Sequence, residues 1–218
     1  MPSTSACRLF VIFARDATVG VILRRGPSKW VQVIKWDTGD DKFDDGAWFH
    51  GRIYESACDV SPDGELFVYK AAKHNRIGTD DGYGYVWTAV SRPPWLYALA
   101  LWPDKWGTYL GGGHFLANKK IAIRTYSGEI PTLHPDHPAP KDLVVVGNRE
   151  APYQESSQEV DGAEWSGRDQ CDHIVYARDG KLFRRVNSKD HELIDFNDRV
   201  PEPSVAPAWA QRWYRRSK

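Results

Sequence analysis

Sulfur is scarce in this chain of 218 residues, which contains one methionine and three cysteines. The cysteines, Cys7, Cys58 and Cys171, are odd in number and lie far apart in the sequence. A disulfide framework or a zinc knuckle requires closer or more numerous pairs of cysteines. We therefore expect reduced, buried thiols and no cofactor.

An excess of charge of one sign is also missing, because 29 lysines and arginines balance 29 aspartates and glutamates. Proteins whose main partner is nucleic acid or an anionic membrane usually carry a basic excess. The balance therefore predicts that neither nucleic acid nor a membrane is a partner of this protein.

Long apolar runs are absent as well. The apolar run at residues 9–14 is ended by Arg15 and Asp16, and no basic segment precedes it, so we predict no signal peptide. No stretch approaches the ~18 apolar residues of a membrane helix. We expect a soluble, cytoplasmic protein.

Helical periodicity is scarce, whereas aromatic residues that favour strands are common, with 10 tryptophans, 10 tyrosines and 8 phenylalanines. Short apolar or alternating runs recur and are separated by turn signals such as "GPSK" (residues 26–29) and "SPDG" (residues 61–64). The pattern predicts a single all-β domain over residues 1–218. From about residue 200 the chain is rich in proline and then basic, and we expect a tail that is free or forms a short helix.

One short phrase occurs twice in the chain. "VIFARDATVGVILRR" (residues 11–25) and "IVYARDGKLFRRV" (residues 174–186) both pass through Ala-Arg-Asp, an apolar pair and Arg-Arg. Turn aspartates at Asp16, Asp63, Asp104 and Asp179 lie 47, 41 and 75 residues apart, and the last spacing is close to two shortened periods. A period of about 40 residues with several strands is the signature of a β-propeller.

The "SPDG" turn and the matching "DGELF" and "DGKLF" segments resemble turns that are common in blades of the WD-repeat and related bacterial propeller families. Since a period of about 40 residues divides the 218 residues into about five repeats, we predict an all-β, five-bladed propeller-like fold, with an irregular β-sandwich or barrel as the alternative. The Gly-His and Trp-Asp signature of WD repeats is absent, so no functional residue is transferred. Gly64 and Gly180 are expected at positive φ, because they end these turns.

Histidines and an aspartate in "LHPDHP" (residues 133–138) are candidate metal ligands, namely His134, Asp136 and His137. His114 or His173 would supply a further ligand. The two prolines of this segment prevent a helix that would place both imidazoles on one face, and a solvated loop is the alternative interpretation.

Two other motifs suggest chemistry less directly. Cys171 and His173 have the residue types of an activated thiol nucleophile, but on one strand they would point to opposite faces. The glycines of "LGGGHF" (residues 110–115) predict a hairpin turn, a bulge or a loop whose backbone approaches a ligand.

The tryptophans around "SRPPWLYALALWPDKWG" (residues 91–107) are candidate binding residues, namely Trp95, Trp102 and Trp106, together with His114. Core packing is the alternative role, and Trp106, beside a charged turn, is the tryptophan most expected to be exposed. A site is most expected in the segments that do not repeat, residues 85–115 and the His-Pro loop.

These features predict a non-enzymatic binding or scaffold protein that uses one face of a small propeller to hold a protein partner, as inhibitor or immunity-type proteins do. The alternative is a carbohydrate-active protein, a lectin or a glycosidase, that uses Trp and Asp side chains in the blade loops.

Overall fold

The computed structural model describes residues 6–26, 28–76, 82–104 and 107–214. Within these ranges the chain is all-β, as predicted, and forms four sheets. The helical elements described are two short 3₁₀ turns, Glu55–Ala57 and His74–Arg76. No described helix has the length and apolar character needed to cross a bilayer.

The first and last sheets are antiparallel meanders in which each strand pairs with the next one along the chain. The first sheet contains β1 (Arg8–Phe13), β2 (Val19–Arg25), β3 (Trp30–Asp37) and β4 (Lys42–His50). The last sheet, which is the fourth, is formed by the last four strands of the chain. The strands of the second and third sheets come between the two meanders in the sequence. Short connections explain both meanders, because a tight turn returns the chain antiparallel to itself.

The second sheet is centred on a buried strand with three partners. Both β5 (Arg52–Ile53) and β6 (Asp59–Val60) pair with β7 (Phe67–Ala72). β7 also pairs with β8 (Val86–Ser91), which pairs in turn with β9 (Ala100–Pro103). All six residues of β7 are buried. The strand is therefore buried on both faces, although Lys70 stands among its apolar residues.

The third sheet has three strands, β10 (Gly113–Ala117), β11 (Lys120–Arg124) and β12 (Val144–Asn148). β12 runs parallel to β11, because the long connection through residues 125–143 carries the chain back before it pairs. The fourth sheet contains β13 (Trp165–Arg168), β14 (Ile174–Arg178), β15 (Lys181–Val186) and β16 (Lys189–Asp195). Segments 125–143 and 149–164 contain no strand, so the described residues provide four sheets.

Three apolar clusters hold the sheets face to face. Val21 and Leu23 of β2 pack in the cluster shared with the second sheet, whereas Ile22 packs in the cluster shared with the fourth sheet. The third cluster joins the second and third sheets around Trp102 and Phe115. Alternation along a strand therefore places apolar side chains on both faces of the first sheet, as its sequence pattern requires.

The predicted turns are confirmed at their most constrained positions. Gly64 and Gly180 both have φ of +74°, as expected, and Asp179 beside Gly180 has φ of +53°. The two Ala-Arg-Asp phrases differ, however, because Arg178–Gly180 lies at a tight β14–β15 turn and Arg15 lies in a longer β1–β2 connection.

The last described part of the tail, residues 207–214, contacts the protein, whereas residues 215–218 lie outside the described residues. Residues 207–212 form a turn in which the Ala210 N–H donates to the Pro207 carbonyl at 2.9 Å. Tyr214 is buried, and its hydroxyl donates to Asp63 Oδ2 at 2.9 Å. Trp213 and Tyr214 pack onto the third apolar cluster, and residues 207–214 form no helix, so the expected short helix was wrong over these residues.

Replacing Gly64 by alanine is expected to lower the free energy of unfolding by about 3 kcal/mol, against about 1 kcal/mol for Gly128→Ala. Both glycines have a positive φ, in the left-handed region. A Cβ at Gly64 would lie 2.7 Å from Val19 Cβ, whereas a Cβ at Gly128 would have no atom within 4 Å. Urea denaturation of the two variants measures the difference. Equal losses would contradict the packing of the β6–β7 turn on Val19.

Candidate functional site

A cleft of about 210 Å³ opens between the second and third sheets. One wall comes from β8 and β9, the opposite wall comes from β11, and the irregular segment 125–132 extends the second wall. The lining residues are Thr88, Trp102, Pro103, Asp104, Leu110, Gly111, Ile123, Arg124, Thr125, Tyr126, Ser127, Glu129, Ile130, Pro131 and Thr132. Part of this lining belongs to the non-repeating residues 85–115.

The lining includes buried polar atoms of Trp102 and Thr125 that have no hydrogen-bond partner among the described residues. Trp102 stands opposite Thr88 in the β8–β9 register and is 1% exposed. In the part of the chain that is described, its indole Nε1 and the Thr125 hydroxyl oxygen are both buried and make no hydrogen bond. A buried polar atom without a partner is costly, so an acceptor that reaches the Trp102 donor from the cleft would remove that cost.

Leu110 and Gly111 of the glycine-rich segment belong to the lining of the cleft. Gly111 and Gly112 have φ of +85° and +74°. A Cβ at Gly111 would lie 2.7 Å from Asp104 Oδ2, and the Gly112 N–H donates to Thr88 Oγ1 at 2.6 Å. The glycines therefore lie in an irregular segment before β10 that brings the backbone close to polar side chains of the protein, whereas the hairpin turn between β10 and β11 lies at residues 118–119.

The side chain of a buried lysine is hydrogen-bonded to the backbone of the glycine-rich segment. Lys70 of β7 is 2% exposed, and its ammonium group donates to the carbonyl oxygens of Thr108, at 2.6 Å, and Leu110. Burial lowers the pKa of Lys70 to about 8, while the negative charge of Asp104 acts in the opposite direction. Lys70 therefore fixes the segment that carries Leu110 and Gly111 into the cleft.

Aromatic and arginine side chains surround the entrance. The Arg124 guanidinium lies 3.7 Å from the centre of the Tyr153 ring, and the Arg149 guanidinium lies 5.3 Å from that of Tyr126. Tyr126 is 65% exposed and Ile130 is 59% exposed. The entrance thus combines exposed apolar area with cations stacked on aromatic rings.

The sequence candidates are only partly brought together. Trp102 lines the cleft, but as a buried wall residue. Trp95 is half-buried and follows a turn, where its backbone N–H donates to the Arg92 carbonyl at 2.9 Å. It does not line the cleft. His114 lies on β10 outside the lining, and burial lowers the pKa of its imidazole. Trp106 lies outside the described residues.

The His-Pro loop packs against the protein through its two histidines. The His134 ring stacks on Tyr83 with centroids 3.8 Å apart. His137 Nε2 lies 3.2 Å from the Tyr83 hydroxyl, and its Nδ1 lies 3.0 Å from the Ala98 carbonyl. Asp136 points to solvent. These contacts occupy both ring nitrogens of His137, and the three candidate ligands do not form a cluster of metal ligands.

A buried carboxylate that the sequence did not indicate lies where the first three sheets meet. Asp59 Oδ2 of β6 accepts the Phe115 N–H at 2.7 Å, and Oδ1 accepts the Gln154 side-chain amide at 2.9 Å. Arg15, from the first Ala-Arg-Asp phrase, lies 3.8 Å away and donates to the Phe115 carbonyl. Burial raises the pKa of Asp59 to about 6. Arg15 therefore links the first sheet to the second and third sheets. The Ala-Arg-Asp sequence around it does not specify this role.

The predicted geometry of Cys171 and His173 was wrong. Residues 169–173 form the connection between β13 and β14, so they are not on one strand with side chains on opposite faces. The ligand atoms of Asp169, Cys171 and His173 lie within 4.8 Å of one another. The alternating pattern "DQCDH" was the available signal, but only the turn brings its side chains together.

No protein-family model, curated protein sequence or solved structure matches this chain. The side-chain geometry is therefore the basis for the function proposed below.

Proposed function

We propose that this protein is a non-enzymatic binding protein that holds a segment of a protein partner in the cleft between its second and third sheets. The observation that carries the proposal is the Trp102 indole N–H, which has no partner among the described residues and lies on the lining of a cleft with exposed Tyr126 and Ile130 at its entrance. A backbone carbonyl of the partner is a suitable acceptor for that donor. Inhibitor and immunity-type proteins are the classes of binding protein that fit this role.

The composition of the entrance supports a protein partner. Energetic hot spots of protein interfaces are enriched in Trp, Tyr and Arg, and they lie beside pockets that exclude water. Tyr126, Arg124 and Arg149 supply those residue types around one opening. A carbohydrate ligand is the second candidate, because the carboxylates of Asp104 and Glu129 also line the cleft.

We also propose that the four sheets are blades of a small propeller-like ring. Support comes from the contacts of the early strands: β1 contacts β13 and β14 of the fourth sheet and β6 of the second, and β10 of the third contacts β6 and β7. An experimental structure with β1, β6, β10 and β13 around one axis is expected. An open sandwich or a barrel would contradict the proposal.

Photo-crosslinking tests the binding function. With p-benzoylphenylalanine in place of Tyr126, irradiation in cells of the native host is expected to yield one defined crosslinked protein. Tyr97, which is 42% exposed and outside the cleft, is the matched control position and is expected to yield none. With the partner purified, Tyr126→Ala is expected to raise Kd by about 30-fold or more, the effect of losing a hot-spot side chain.

The same partner crosslinked equally at both positions, or no crosslink at Tyr126, would contradict the cleft as the binding surface. Binding on a glycan array that is lost in Tyr126→Ala would replace the protein partner by a carbohydrate.

A further inference from the structure

We propose that Asp169, Cys171 and His173 form a binding site for a zinc-class divalent ion. The three residues supply one carboxylate oxygen, one sulfur and one imidazole nitrogen from a single five-residue connection between β13 and β14. The site is separate from the cleft, and the proposal does not depend on the function proposed for that cleft.

The chemistry of the three donors selects the ion. Thiolate and imidazole are ligands for zinc and related transition metals, whereas calcium and magnesium require oxygen ligands. Two ligands on a tetrahedral ion are about 3.5 Å apart, given bond lengths of about 2.0–2.3 Å. The donors here lie within 4.8 Å of one another, so a small rotation of the exposed Cys171 side chain closes the site.

The carboxylate is held in place before an ion binds. Asp169 Oδ1 accepts the N–H groups of Cys171 and His173, both at 2.9 Å. Its Oδ2 lies 3.1 Å from Arg184 Nε and 3.4 Å from His173 Nδ1. A carboxylate oxygen has two lone pairs, so Oδ2 can keep Arg184 on one of them and bind the ion with the other.

The charge of Arg184 is largely directed elsewhere. Its two terminal nitrogens donate to Asp41 at 2.8 and 2.9 Å, and one of them also donates to the Thr38 carbonyl. Its Nε lies 3.1 Å from Asp169 Oδ2. A cation held by Asp41 in this way leaves the carboxylate of Asp169 and a thiolate of Cys171 as net negative ligands for the ion.

The connection is also anchored to the first sheet, which limits the entropy lost on binding an ion. The Gln170 side-chain amide donates to the carbonyls of Ala14 and Val19, both at 3.0 Å, and its oxygen accepts from the Thr38 hydroxyl at 2.9 Å. Ligands presented by a fixed backbone are the arrangement that metal sites require. Binding replaces the thiol proton of Cys171 by a bond from sulfur to the ion, and that proton leaves to solvent.

Cobalt titration of the reduced full-length chain tests the site, because a sulfur-to-cobalt charge-transfer band reports a thiolate ligand directly. The wild type is expected to develop this band and to lose it when Zn²⁺ is added. Cys171→Ser is expected to abolish the band, and His173→Ala to raise the Kd for Co²⁺ by more than about tenfold. Zn²⁺ is also expected to raise the Tm of the wild type and not that of Cys171→Ser.

Asp172→Asn is the matched control. Its carboxylate lies in the same connection but outside the ligand group, and asparagine tolerates the φ of +61° found there. This variant is expected to bind Co²⁺ as the wild type does. A charge-transfer band that persists in Cys171→Ser, an unchanged Kd in His173→Ala, or no band in the wild type would overturn the proposal. Far-ultraviolet circular dichroism separates loss of the site from loss of the fold.

Discussion

Replacing Trp102 by alanine is expected to lower the free energy of unfolding by about 3–5 kcal/mol, the usual cost of removing a large buried aromatic side chain. Trp102 is 1% exposed and packs in the cluster that joins the second and third sheets. Its removal leaves a cavity beside the cleft, because the two sheets cannot close around a missing indole. Urea or thermal denaturation with circular dichroism detection measures the loss.

Trp102→Phe separates the two roles of this residue. Phenylalanine keeps most of the apolar area and removes an indole N–H that has no partner among the described residues, so the loss of stability is expected to be below about 2 kcal/mol. Binding of the partner identified by crosslinking is nevertheless expected to weaken, because the donor is gone. A stable Phe variant with unchanged Kd would limit Trp102 to packing.

The free energy of unfolding is expected to fall by about 3 kcal/mol, through Asp59 alone, as the pH rises from about 4 to about 6. Burial raises the pKa of Asp59 from 3.8 to about 6 in the folded state. In this window the unfolded chain has released the proton and the folded chain still holds it, so rising pH favours unfolding. Below and above the window the contribution of Asp59 is constant.

Asp59→Asn is expected to remove this part of the pH dependence, because an amide resembles the protonated carboxyl and stays neutral. The measurement is urea denaturation of both proteins at several values of pH between 3.5 and 7. Asp142→Asn is the control: the hydrogen bond from Lys119 lowers the pKa of this exposed carboxyl, so its effect has the opposite sign. An Asp59→Asn curve parallel to that of the wild type would contradict a buried, proton-holding Asp59.

Local features were predictable wherever the backbone itself imposes them. The strands at residues 19–25 and 30–37 coincide with β2 and β3, because apolar alternation and the Gly-Pro turn are local signals. The left-handed Gly64 and Gly180 follow from turn chemistry in the same way. The candidate sites were harder to predict from the sequence. Trp102 was recognised as a candidate, but its position on a cleft wall depends on the packing of the third sheet against it.

The sequence by itself determined an all-β chain, its turns and most of its strands, since these depend on neighbours within a few residues. Only the tertiary structure decided what the charged side chains do. Arg15 and Arg178 stand in the same Ala-Arg-Asp phrase, yet Arg15 reaches Asp59 and Phe115 in other sheets, whereas Arg178 donates to the nearby Asp161 carbonyl. The physical reason is that a long side chain finds its partner across space, and a repeated local pattern does not specify which sheet packs opposite it.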